Sequence, residues 1–107
     1  MKIAKCDMRG FLSFMILWLL SKKSMHGQQL AKEIGRRRGE KPKAGTLYPA
    51  LKYLKSRGLV KSKKQGRVIV YSLTRSGRAS VKESMDYFCK AFGDIFKNHK
   101  NRRRGRR

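Results

Sequence analysis

The segment Phe11-Leu-Ser-Phe-Met-Ile-Leu-Trp-Leu-Leu20 constrains this chain more than any other. It is apolar on nearly every side, so a helix built from it must be buried against more than one neighbour. It has half of the roughly 20 residues needed to cross a bilayer. Lys2, Lys5 and Arg9 precede it, as in a secretory leader, but no small-residue cleavage site follows. Ser21-Lys22-Lys23-Ser24 comes next, then an ordinary amphipathic pattern. The segment reads as a buried helix over about residues 10–22, and the protein is expected in the cytoplasm.

The remaining pattern builds around that helix. Ser24 is placed to cap a second helix, whose inward stripe is Leu30, Ala31 and Ile34 and whose exit is Gly39. A third helix is expected from about Gly45 to Arg57, with Leu47, Ala50 or Leu51, and Leu54 on one face and Gly58 as its stop. Pro49 lacks an N–H, which a helix tolerates only near its start. Residues 59–64 and 68–73 suit two strands around Gln65-Gly66-Arg67, with Ile69, Tyr71 and Leu73 alternating onto one face. Thr74 caps a last helix over about 75–97. Its apolar positions Val81, Met85, Phe88, Phe92 and Ile95 are spaced 4, 3, 4, 3, a coiled-coil seam. This order is that of a winged helix-turn-helix, a mainly α fold with a small β-hairpin, carrying a C-terminal extension. The division is 1–74 for the winged helix-turn-helix unit, 75–97 for the last helix, and 98–107 for a basic, disordered tail.

Charge narrows the partner. Twenty-nine Lys and Arg against six Asp and Glu give a net charge of +23 in 107 residues. Small soluble domains usually carry about 2–8. A folded core with this surplus requires a polyanion, and DNA, RNA and an acidic membrane surface are the candidates. The basic residues are spread over several elements and form no single amphipathic helix, which disfavours the membrane. Enzyme chemistry has little to work with. The acids form no acid/base pair, and the sequence contains neither GxxxxGK[ST] nor GxGxxG. Cys6, Cys89, His26 and His99 lack metal-ligand spacing, so neither metal nor cofactor is expected.

Three motifs in order carry a family resemblance over residues 10–80. His26-Gly27-Gln28-Gln29-Leu30 resembles the HGYEL segment of the PadR family of transcriptional regulators. Gly45-Thr46-Leu47-Tyr48-Pro49-Ala50-Leu51, then Leu54 and Gly58-Leu59-Val60, resembles its GTLYPAL…L…GLV signature. Tyr71-Ser72-Leu73-Thr74 with Gly77 and Arg78 resembles its Y-x-LT-x-x-GR segment. The chain departs from the pattern at Ala44, where many members have Pro, and at Gln28, where an aromatic is usual. The resemblance implies a dimeric winged-helix DNA-binding protein, usually a repressor, with the third helix in the major groove and the hairpin as the wing. It implies that the first and last helices make the dimer, and that some members answer to small aromatic effectors.

The expected DNA contacts are Lys43, Thr46, Tyr48, Lys52 and Lys55 around the third helix, and Lys63, Lys64 and Arg67 at the wing. Thr46, Tyr48 and Lys52 are expected to touch bases, although Tyr48 also suits a cap on the core. Lys43 and Lys55 suit phosphates, and Lys63, Lys64 and Arg67 suit phosphates or the minor groove, the alternative being a merely solvated hairpin tip. Phe14, Val81, Met85, Phe88, Phe92 and Ile95 are the expected homodimer interface; the alternative for the seam is an effector pocket. Trp18 suits the core or a ligand-stacking plate. Arg36, Arg37 and Arg38 suit either a solvated helix end or DNA. Cys6 and Cys89 are expected to be reduced, the alternative being a redox sensor. Two functions fit. One is a sequence-specific regulator of double-stranded DNA, a dimeric repressor. The other is an architectural, nucleoid-associated protein that coats nucleic acid through counterion release alone.

Overall fold

The computed structural model describes residues 8–105. Four helices and three strands follow one another as α1 (Met8–Leu20), β1 (Met25–His26), α2 (Gly27–Arg38), α3 (Ala44–Ser56), β2 (Val60–Gln65), β3 (Val68–Leu73) and α4 (Arg75–Gly105). The fold is mainly helical with a small antiparallel sheet in the order β1-β3-β2. No helix among the described residues is long and apolar enough to cross a membrane.

α1 is the axis of the core. It touches α2, α3, α4 and β3, and Ile16 and Leu17 are fully buried. Leu30 and Ile34 of α2, Leu47, Leu51 and Leu54 of α3, Val60 and Leu73 of the hairpin, and Val81 of α4 close around it. Burying each such side chain stabilises the fold by about 1.5–3 kcal/mol.

Local chemistry sets the element ends. His26, not Ser24, caps α2: its Nδ1 accepts from the Gln29 amide at 3.3 Å, and the Gln29 side chain accepts from the His26 amide at 3.0 Å. This reciprocal capping box satisfies two amides that the helix cannot. Gly39 ends α2 in the left-handed region with φ 89°. At the end of α3, Gly58 donates to the Lys55 carbonyl and Leu59 to the Leu54 carbonyl. That pair of bonds is a Schellman motif, and Gly58 supplies its positive φ. Pro49 lies in the second turn of α3, deeper than its missing N–H favours, so the Gly45 carbonyl goes without its usual partner.

Thr74 joins two elements. Its hydroxyl donates to the Gly58 carbonyl at 2.6 Å and accepts from the Gly77 amide at 3.0 Å. The exit of α3 is thereby fixed to the entry of α4.

Four further features differ from the sequence reading. β1 is additional, pairing Met25 with Tyr71 and His26 with Val70. Ile69 is exposed, because β3 runs past the edge of the helical core; only Tyr71 and Leu73 reach it. Val81, expected at a dimer interface, belongs to the chain's own core. The last helix continues beyond Lys97 to Gly105, over residues expected to be a disordered tail. Lys and Arg are good helix formers, and no Gly or Pro interrupts them before Gly105. With 31 residues, α4 is about 46 Å long.

Candidate nucleic-acid interface

The face made by α3 and the β2–β3 hairpin is basic because the chain places no Asp or Glu between Lys41 and Lys82. The core side of α3 is Leu47, Ala50, Leu51 and Leu54. The 3.6-residue period therefore puts Tyr48, Lys52 and Lys55 together on an outward stripe, and all three are exposed. Thr46 is exposed on a different stripe, with Pro49 and Tyr53, above a cleft of about 420 Å³ that Leu12, Ser13 and Arg38 complete. Lys43 precedes the helix as its N-cap residue and makes no capping bond.

Lys55 ties α3 to the wing: its Nζ donates to Ser62 Oγ at 2.7 Å. That bond fixes which face of β2 looks toward α3. Strand alternation then puts Lys64 on the α3 side with Ser62, and Lys63 on the opposite side. The two wing lysines, adjacent in sequence, are thus separated by the sheet. Gly66 opens the two-residue turn with φ 64°, a conformation that non-glycine residues rarely adopt. Arg67 is exposed beside it.

Tyr48 does more than point outward. Its ring crosses Gly27, the first residue of α2, and it lies near Tyr71 of β3. Burial, and secondarily the neighbouring Tyr48, hold the Tyr71 phenol above its ordinary value. A notch of about 240 Å³ opens where these elements meet, walled by Gln28 and Tyr48 on the helical side and by Arg67, Val68 and Ile69 on the wing side. Gln28, Val68 and Ile69 were absent from the sequence-expected contacts. Apolar strand residues read as core, and only their position on the sheet reveals their exposure.

Arg36, Arg37 and Lys22 are engaged elsewhere. Glu33 pairs with Arg37 at 3.0 Å and Arg36 at 3.3 Å. The hydrogen bond from Arg37, outweighing partial desolvation and joined by the charge of Arg36, lowers the Glu33 carboxyl below its ordinary value. Arg37 also stands 5.2 Å and Lys22 4.8 Å from the ring centre of Trp18. Trp18 is partly buried against the core, so the protein's own residues occupy the ring that suited a stacking plate.

The expected seam on α4 divides. Phe14 of α1 meets Phe88 at 4.9 Å between ring centres, and Phe88 stacks on Phe92 at 5.5 Å. Met85 and Ile95 face solvent, 41% and 59% exposed. Cys89 is an exposed thiol on the same helix, while Cys6 lies outside the described residues.

The profile of the PadR-like family of transcriptional regulators matches residues 16–83. The chain belongs to that family. It is accordingly a DNA-binding transcriptional regulator with a winged-helix fold. Solved structures agree. RosR of H. salinarum is 25% identical, superposes with a TM-score of 0.73, and the match covers 85% of this chain and 81% of that one. A transcriptional regulator from Clostridium thermocellum is 26% identical with a TM-score of 0.72, covering 83% and 93%. A PadR family transcription regulator from Clostridium difficile R20291 is 27% identical with a TM-score of 0.68, covering 80% and 98%. No curated protein sequence matches the chain.

Proposed function

We propose that this PadR-like regulator is a dimeric repressor that reads a specific double-stranded DNA sequence. The observation that carries the reading is the shared direction of Tyr48, Lys52 and Lys55 on α3 and Lys64 on the wing, on a face without acids. α3 would lie in the major groove, with Tyr48 and Lys52 at base edges. Lys43, Lys55, Lys63, Lys64 and Arg67 would hold phosphates, which fix register without reading sequence. Thr46, on the neighbouring stripe, would reach DNA only at the edge of the footprint.

The second copy follows from α4. A helix that keeps Met85 and Ile95 in water beside Phe88 and Phe92 leaves an apolar surface for an equivalent helix to cover. Two copies would present two α3 helices to half-sites about 34 Å apart. Binding there would repress by occluding a promoter. In this reading residues 1–74 recognise DNA, and the helix beyond them associates and adds charge. An effector would act by changing the spacing of the two α3 helices; its chemistry is open.

One observation favours a second reading. The end of α4 carries Lys97, Lys100 and Arg102 to Arg104, and with the net charge of +23 this suits sequence-blind coating of DNA. Selection of bound sites from random DNA at near-physiological salt separates the two. A two-fold symmetric consensus is the expected result, and recovery of unenriched DNA overturns the repressor in favour of the architectural protein.

A further inference from the structure

The basic face holds an apolar anomaly. Tyr48 and Ile69 are 41% and 48% exposed at the notch between α3 and the wing, and Tyr71 lies in the same notch on the Ile69 side of the sheet. Leaving large, mostly apolar side chains in water is unfavourable, and grouped exposure of this kind marks a recognition surface. The surroundings say what it recognises. Lys64 shares the α3-facing side of the hairpin with Ile69, directly across the strand pair, and Arg67 walls the same notch. Lys52 lies one helical turn beyond Tyr48. An apolar protein partner would have to bury these cations, whereas a nucleic acid pairs them with phosphates.

We infer that this notch reads the 5-methyl group of a thymine in the major groove. The inference rests on the proposed sequence-specific binding and deepens it. Among the groups that base pairs present in the grooves, the thymine methyl is the aliphatic one, and apolar side chains are its usual partners. Ile69 walls the notch from the wing, and Tyr48 from the first turns of α3, the part of a recognition helix that meets base edges. The methyl would enter between them while Arg67 and Lys64 engage the flanking phosphates. Gln28, on the rim of the notch, is long enough to bond an adjacent base edge. Specificity at this position then comes from the wing tip as well as from the recognition helix.

The test uses the full chain and the DNA sequence that it selects. Each thymine is replaced singly by deoxyuridine, which removes only the methyl group. One thymine per half-site should lose about fourfold in affinity, the worth of one buried carbon. Ile69→Ser should bind thymine and uracil duplexes at that position equally, with its salt dependence unchanged. Val68→Thr, on the opposite side of the sheet, should keep the preference, and thermal unfolding of both variants confirms that the fold is kept. If deoxyuridine is tolerated at every position of a selected site, the inference is wrong and the repressor reading survives. If one thymine matters but Ile69→Ser keeps the preference, or Val68→Thr loses it as fully, the inference is again wrong. If no sequence is selected, the repressor reading fails and the inference falls with it.

Discussion

The Tyr48 ring lies so close across Gly27 that a β-carbon added to Gly27 would stand 2.8 Å from Cζ and 2.9 Å from Cε1. The first residue of α2 is therefore glycine because α3 passes over it. The contact also holds the aromatic ring at the exposed edge of the domain, beside Tyr71. Gly27→Ala should destabilise the protein by about 1–3 kcal/mol through overpacking. It should also blur DNA sequence preference, as Tyr48→Ala should. In a Tyr48→Ala background the same glycine change should cost almost nothing. A double-mutant cycle by denaturant unfolding measures this, and additive losses would show that the contact does not explain the glycine.

The wing and α3 should fail differently. Tyr48→Ala is expected to relax sequence preference, while Lys63→Ala with Lys64→Ala weakens all duplexes alike. Removing a phosphate-binding lysine lowers the salt slope by about 1. Because the sheet separates the two lysines, Lys64→Ala alone should carry most of that loss, since Lys64 shares its face with the Ser62 that binds Lys55. Binding isotherms at several salt concentrations decide it. Equal effects of the two single changes would mean that DNA wraps the wing on both sides.

Where the sequence was readable, the reason is local. Gly39, Gly58, Gly66 and Thr74 announce caps and turns through their own conformational preferences, and each occupies the expected role. The motifs over Gly45–Leu51 and Tyr71–Thr74 were legible instead through their resemblance to the PadR family. What escaped depends on distance in space. β1 has two residues, too few to show a period, and exists because β3 comes alongside. Alternation gives Ile69 a face but not a depth. The 4, 3, 4, 3 spacing of α4 cannot say that Val81 packs inward on the chain's own core while Met85 and Ile95 are left outside. The Lys55–Ser62 bond, which orients the wing, joins residues on different elements that no motif links.

Acid should loosen the end of α2. The Glu33 carboxyl is held below its ordinary value of 4.5, chiefly by its hydrogen bond from Arg37. A lowered folded-state value means that the pairing is fully present above the unfolded value. It is lost as pH falls through the lower folded one. Stability should therefore decline from about pH 4.5 downward. Glu33→Gln should flatten that part of the profile and leave the neutral range little changed, since an exposed pair contributes little. Melting midpoints across pH 3–6 test it, and an unchanged acid slope in Glu33→Gln would assign the loss to other carboxylates.

The proposed homodimer should come apart without unfolding the monomer. α4 is anchored within its own chain by Val81 in the core and by Phe88 against Phe14, neither of which needs a partner. Met85 and Ile95 make no such anchor and lie in water. Met85→Asp with Ile95→Asp would place two carboxylates where the proposed partner helix packs, and a buried unpaired charge costs far more than an interface gains. Sedimentation should show the native chain at twice its 12.4 kDa mass and the variant at that mass. Helical content should be retained, and affinity for a two-half-site operator should drop toward that for a single half-site. A variant that remains dimeric would move the interface off this face of α4, and with it the expected spacing between the recognition helices.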